Sequence, residues 1–305
     1  MAEHIIINEV GPRDGLQSQG KTLSVEARLT LIEHLLGCGV EAIEVGSFVS
    51  PKAVPQMAGT AELVARLPRR DEIGYSALVP NMRGYELARE AGTRSIAVVL
   101  SATETMNQRN INMSLAQARA ASAQVLARAR EDGIEARAYV AVAFECPFEG
   151  RTPAKVVAAL TEEMLEAGAG KVIIADTIGA ANPASVCEVL GQVRNVAANL
   201  PLSCHFHDTR AMALANVLAA LEFDVREFDC SIGGLGGCPF SPGASGNLAT
   251  EDLVLMLHSM GLHTGIDLDR LIDSVPFVEQ LTGVALGGRS YSWLRRQRDR
   301  QRGEA

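Results

Sequence analysis

Short apolar, β-branched runs alternate with longer segments of helical apolar spacing along nearly the whole chain. The runs His4–Val10, Ala42–Val45, Ile73–Leu78, Ser95–Leu100, Ala136–Phe144, Lys171–Asp176, Leu202–Phe206 and Val225–Cys230 predict strands. Helical spacing predicts helices over 24–38, 56–67, 82–91, 114–132, 153–168, 182–199, 210–222 and 249–260. Strict strand–helix alternation predicts a parallel sheet, and eight units is the number that closes into a (β/α)8 TIM barrel. The competing arrangement, an open doubly wound sheet, normally has fewer units at this length. Further helix signals over 266–290 precede a charged tail, Arg295 to Ala305. The expected fold is therefore α/β, a catalytic barrel over 1–265 followed by additional C-terminal helices and a tail over 266–305. The tail mixes acids with its arginines and lacks interleaved aromatics, so it reads as a frayed, solvated helix end rather than a nucleic-acid arm.

In such a barrel the reactive face lies at the C-terminal ends of the strands. Polar residues interrupt the apolar strands there repeatedly: "NEVGPRDGLQ", "IEVGS", "IIADTIG", "CHFHDT" and "CSIGGLGGCPF". Side chains alternate along a strand, so His205 and His207 point the same way and can both reach one ion. Taken alone the pair is weak evidence for a metal, and two hydrogen-bonded core histidines are the more usual alternative. Asp14 after strand one and Asn247 after strand eight would be brought near strand seven by barrel closure. One carboxylate, one amide oxygen and two imidazoles form a thiolate-free set, which favours Mg²⁺ or Mn²⁺ over structural zinc. Glu44 and Asp176 are placed to support such ligands from behind.

Arg13 and Asp14 are adjacent, so a regular strand would aim them at opposite faces. If both serve one site the chain must leave β geometry, and "GPRDG" supplies the residues to do so. The bland alternative for Arg13 is a salt bridge to Asp14 or Glu9. Residues 233–247 hold six glycines in fifteen positions but lack a P-loop's lysine and Ser/Thr ending. That density suits an active-site flap, on which Cys238 is positioned for proton transfer.

Composition narrows the partners. With 28 basic and 36 acidic side chains the net charge is −8, which argues against nucleic acid and anionic membranes as partners. No apolar run reaches the roughly 18–20 residues of a membrane span, no signal peptide is apparent, and six scattered cysteines read as reduced thiols. A cytoplasmic protein is expected.

These motifs resemble the 3-hydroxy-3-methylglutaryl-CoA lyase family from about Ile6 to Thr264. "EVGPRDGLQ" and "HFHDT" mark the wider superfamily of metal-dependent lyases and acyl transferases. "SFVSPKAVPQM", "ECPFEG", "ADTIG" and "GLGGCPFSPGASGNLATEDLV" are more specific to the lyase branch. The resemblance implies Asp14, His205, His207 and Asn247 as metal ligands, Arg13 as the enolate-stabilising arginine and Cys238 as the flap proton donor. Glu44 and Asp176 resemble the rim acids. It also implies an acyl-CoA substrate and a role in leucine degradation; a homo-oligomer, dimer or tetramer, is expected. Three departures stand out: Arg210-Ala211 where the family usually has Tyr-Gly, Ser18-Gln19-Gly20 where many have Asn-Glu-Lys, and no counterpart of the animal C-terminal cysteine. They keep a sister activity in view, a citramalyl-CoA-like or longer-chain lyase, or a condensing synthase or aldolase. A barrel that keeps its metal but has lost catalysis is the non-enzymatic reading. Lys52 and Arg83 are candidates for the CoA phosphates by position alone.

Overall fold

Parallel pairing runs around a closed ring of eight strands: β1 (Ile6–Glu9), β2 (Ala42–Ser47), β3 (Gly74–Leu78), β4 (Ser95–Ser101), β5 (Glu135–Ala141), β6 (Lys171–Asp176), β7 (Leu202–Phe206) and β8 (Glu227–Cys230). β8 returns to β1, setting Asn8 beside Asp229 and Glu9 beside Cys230. This computed structural model describes residues 3–198, 200–237 and 246–303. The eight-strand closure expected from the alternation is present, and helices surround it.

The helices are α1 (Val25–Gly37), α2 (Thr60–Arg66), α3 (Met82–Glu90), α4 (Glu104–Ile111), α5 (Leu115–Asp132), α6 (Ala154–Ala167), α7 (Pro183–Ala197), α8 (Ala213–Leu221) and α9 (Thr250–Ser259), followed by α10 (Leu268–Thr282) and α11 (Tyr291–Arg302). Local chemistry sets several of their starts. Ser24 accepts the Ala27 amide, Ser114 and Gln117 cap each other, and Asn182 precedes Pro183 in the first turn of α7. Leu31, Ile32 and Leu35 of α1 are fully buried together with Ile43 and Val45 of β2. Each such side chain contributes about 1.5–3 kcal/mol of burial. Inside the barrel Ala97, Ile173 and Ala175 pack with Tyr139. Nearer the strands' N-terminal ends, Arg137 donates to Glu227 at 3.2 Å, and Lys171 pairs with the same carboxylate.

Three segments differ from expectation. α4 falls where no helix was predicted, because only Met106 and Asn107 of "ETMNQRNI" are buried and the apolar period is missing. The run to Phe144 reads as strand, yet β5 stops at Ala141 because Val142 takes φ 50°. Thr177 Oγ1 accepts the Val142 amide at 2.8 Å, and Thr152 Oγ1 donates to the Val142 carbonyl at 2.6 Å. The expected frayed tail is instead helix α11, docked by a buried Arg298 that pairs with Asp273 and donates to the Asp269 carbonyl at 2.7 Å. A charged sequence gave no sign that one arginine of the series faces inward.

Candidate active site

After β1 the chain makes one wide turn over Gly11–Gly15, closed by the Gly15 amide reaching back to the Val10 carbonyl at 3.2 Å. A side chain at position 11 would begin 2.6 Å from Glu9 Oε1, so the turn needs glycine there. Leaving strand geometry lets Arg13 and Asp14 face one cavity of about 640 Å³ at the C-terminal end of the barrel. His205, His207, Tyr139 and Thr177 line it with them, and Val54, Leu78 and Met106 form an apolar wall.

Asp14, His205 and His207 each offer a ligand atom within 4.8 Å of the others'. The imidazole centroids lie 5.1 Å apart, as same-face strand neighbours should. A backbone bridge ties Asn247 to His207, and Asn247 Nδ2 donates to Asp14 Oδ2 and to the Leu235 carbonyl, both at 3.0 Å. The three strands expected to converge do so. The remaining histidines lie elsewhere; His4 meets His263 and Glu41, and His34 stacks on Phe277.

Arg13 is the hinge of the charge arrangement. Its Nε donates to Glu44 at 2.5 Å and its Nη1 to Asp14 at 2.6 Å. The salt bridge weighed as its bland alternative thus exists, to Asp14 and Glu44 rather than Glu9. Burial alone would raise the Asp14 carboxyl, but Arg13 and the two imidazoles outweigh it and hold the group well below the ordinary carboxylate range. For Glu44 burial wins over Arg13 and pushes the carboxyl up. Asp176 turns into its own loop, accepting the Ala180 amide at 2.8 Å and the Ala181 amide at 3.1 Å. Burial raises it to about 6. It therefore shapes the loop beside the site, and its carboxylate bonds to none of the other candidate residues.

Two participants escaped the sequence reading. Tyr139 lies under Arg13, whose Cζ is 5.8 Å from the ring centroid. Its hydroxyl donates to Asp229, which also faces His205 Nδ1 at 3.0 Å. A signal existed: Glu227 and Asp229 share the two-residue spacing of the histidines, and so do Arg137 and Tyr139. Burial would lower the His205 pKa, but the hydrogen bond and charge of Asp229 more than offset it and raise the group. Cys238 lies outside the described residues; Gly237, just before it, lines the cavity. Lys52 and Arg83 are exposed and do not line it.

The site fits a divalent cation. Neither ring nitrogen of buried His207 has a hydrogen-bond partner, its Nε2 standing 3.9 Å from Asp14 Oδ2, and the buried Asn247 Oδ1 is also unpartnered. Leaving such groups unsatisfied costs about 1–3 kcal/mol each. A divalent cation among carboxylate, imidazole and amide oxygen removes that cost.

The HMGL-like family model matches residues 4–278. The chain belongs to that family. The hydroxymethylglutaryl-CoA lyase of Pseudomonas mevalonii is 46% identical over 293 residues, covering 92% of this chain and 96% of that protein. The solved HMG-CoA lyase of Brucella melitensis superposes with a TM-score of 0.89 at 43% identity, covering 93% of this chain and 100% of the other. An HMG-CoA lyase from Acenitobacter baumannii, solved with coenzyme A and 3-methylmalate, gives a TM-score of 0.89 at 39% identity over 95% and 94% of the two chains. Membership in this family accounts for the resemblance carried by the motifs at 9–17 and 205–209.

Proposed function

We propose that this HMGL-like barrel is a divalent-metal-dependent carbon–carbon lyase that cleaves 3-hydroxy-3-methylglutaryl-CoA to acetyl-CoA and acetoacetate. The observation that carries the reading is the grouping of Asp14, His205 and His207 on one cavity beside buried Arg13, with Asn247 bonded to Asp14. Identity of 46% to a hydroxymethylglutaryl-CoA lyase over nearly the full length supports the substrate. A relative solved with coenzyme A supports an acyl-CoA.

Asp14, His205, His207 and Asn247 would hold Mg²⁺ or Mn²⁺, which would supply Lewis acidity toward the substrate's tertiary hydroxyl. Loss of the hydroxyl proton to solvent lets the C2–C3 bond break, with its electron pair passing to the thioester as an enolate. Arg13, pinned by Glu44 on one edge and Asp14 on the other, offsets the charge on the thioester oxygen. Cys238 returns a proton to C2 from the flap and releases acetyl-CoA. The apolar wall of Val54, Leu78 and Met106 excludes water around the enolate. On this reading the protein works in the cytoplasm, in leucine breakdown, as a homo-oligomer. Among the described residues no helix is long and apolar enough to cross a membrane.

Incubation of the purified protein with Mg²⁺ and 3-hydroxy-3-methylglutaryl-CoA tests this. Acetoacetate should appear, stop on addition of EDTA, and return with excess Mg²⁺ or Mn²⁺. Cleavage of other 3-hydroxy-acyl-CoAs alone would transfer the assignment to a sister lyase, and no turnover of any would overturn it.

A further inference from the structure

Asp229 lies on β8 with its side chain buried, and groups from three other strands converge on its carboxylate. Oδ1 accepts from Asn8 Nδ2 of β1 at 2.8 Å. Oδ2 accepts from the Tyr139 hydroxyl of β5 at 2.7 Å and faces Nδ1 of His205 of β7 at 3.0 Å. An ionised carboxylate only accepts hydrogen bonds, so the contact requires the His205 proton on Nδ1. The lone pair then stands on Nε2. His207 differs, since neither of its ring nitrogens has a hydrogen-bond partner.

We infer that Asp229 is a positioning residue: it fixes His205 in the Nδ1–H tautomer, so that Nε2 serves the centre formed with Asp14 and His207. The same oxygen steadies the Tyr139 ring beneath Arg13. The inference rests on the proposed function only in taking that centre as a metal site. A histidine ligand whose far nitrogen donates to a carboxylate is both oriented and made more basic, and loss of such a partner typically weakens metal binding 10- to 100-fold. Asp229 itself touches neither metal nor substrate. The four strands meeting at its carboxylate make it the point where barrel closure is converted into ligand geometry.

The tautomer is read directly from ¹⁵N side-chain spectra of the histidine-labelled protein, with His205 assigned by loss of its signal in His205→Gln. A protonated Nδ1 is expected in the wild type. Mn²⁺ affinity, measured from the electron paramagnetic resonance of free Mn²⁺ without any acyl-CoA, should fall about 10- to 100-fold in Asp229→Leu. Asp229→Asn should lose less, because Asn8 can turn its amide and leave the new carbonyl facing His205. Tyr139→Phe, which keeps the carboxylate, should stay within about threefold of wild type. An Nε2–H tautomer at His205, or an Asp229→Leu protein binding Mn²⁺ as tightly as wild type, overturns the inference. If the leucine variant does not fold, the same criterion is applied to Asp229→Ala, where Mn²⁺ affinity equal to wild type overturns the inference equally. These readouts need no turnover, so failure of the wild type to cleave 3-hydroxy-3-methylglutaryl-CoA would sink the lyase assignment and leave the tautomer result standing.

Discussion

At the residue scale the site depends on a buried cation shared between two carboxylates. Arg13 lines the cavity yet also pairs with Glu44, so on the proposed function its removal should damage chemistry and stability by separate routes. Arg13→Gln is expected to lower kcat about 10²- to 10³-fold, the usual effect of losing one oxyanion donor. It should also destabilise the fold by about 3–5 kcal/mol, because Glu44 is left buried and unpaired. Adding Glu44→Gln in that background should restore most of the lost melting temperature and none of the lost kcat. Calorimetry and the acetoacetate assay separate the two effects. An unchanged melting temperature in Arg13→Gln would mean that Glu44 does not rely on this partner.

At the element scale, the glycine-rich segment directly after β8 hangs on buried acids. Glu9 accepts the amides of Gly11 and Ile232 and the Thr250 hydroxyl, while Glu251 accepts the amides of Gly233 and Gly288. Burial raises both carboxyls to about 7 from an ordinary 4.5. Between pH 4.5 and 7 the folded chain therefore holds protons that the unfolded chain has released, and stability falls as pH rises through that window. Below 4.5 both states are protonated and above 7 both are ionised, so these groups add no slope there. Glu9→Gln should remove part of the decline, up to about 3 kcal/mol across the window. Urea unfolding at pH 5 and pH 7 measures it, and an unaltered slope would show that Glu9 titrates normally. The neighbouring loop is equally constrained: a side chain at Gly179, which has φ +66°, would begin 2.5 Å from Thr209 Oγ1. Thus the loop that Asp176 caps is packed against the segment following His207.

At the scale of the whole molecule, the segment between α10 and α11 crosses back to Gly233, just after β8. The Gly287 amide donates to the Gly233 carbonyl at 3.0 Å, and Arg289 reaches Asp208 at 2.8 Å, next to the metal-capable histidines. Glu251 and Asp252 hold this crossing by accepting the Gly288, Arg289 and Ser290 amides, and Arg298 docks α11 on α10 directly beyond it. Arg298→Ala should cost about 1.5–3 kcal/mol, as expected for the loss of a hydrogen bond from a charged donor. It should also open the 283–290 connection to trypsin before the barrel is cut. Limited proteolysis followed by mass spectrometry checks the order of cleavage. First cuts elsewhere would show that docking by Arg298 does not protect the crossing.

The eight-unit alternation was legible because each β-branched run and each helical period is a local property, repeated often enough to fix the closed count. His205 and His207 were legible as a pair because strand alternation alone puts them on one face. Asp14 and Asn247 could be nominated from the ends of their strands, and barrel closure brings them to those histidines. Other features had no local cause. Asp229 and Tyr139 face each other only because β8 and β5 lie across one barrel, and Arg298 turns inward only because Asp269 and Asp273 stand opposite it. The polar α4 and the early end of β5 at Val142 likewise answer to neighbours distant in sequence, Thr177 among them. Sequence by itself determined the element types, their order and the kinds of donor atom available, since these follow from side-chain period and chemistry. Which donors share a proton, which carboxylate is neutralised and which charged side chain is buried were decided only in three dimensions, because those energies depend on distances between residues that the chain order leaves free.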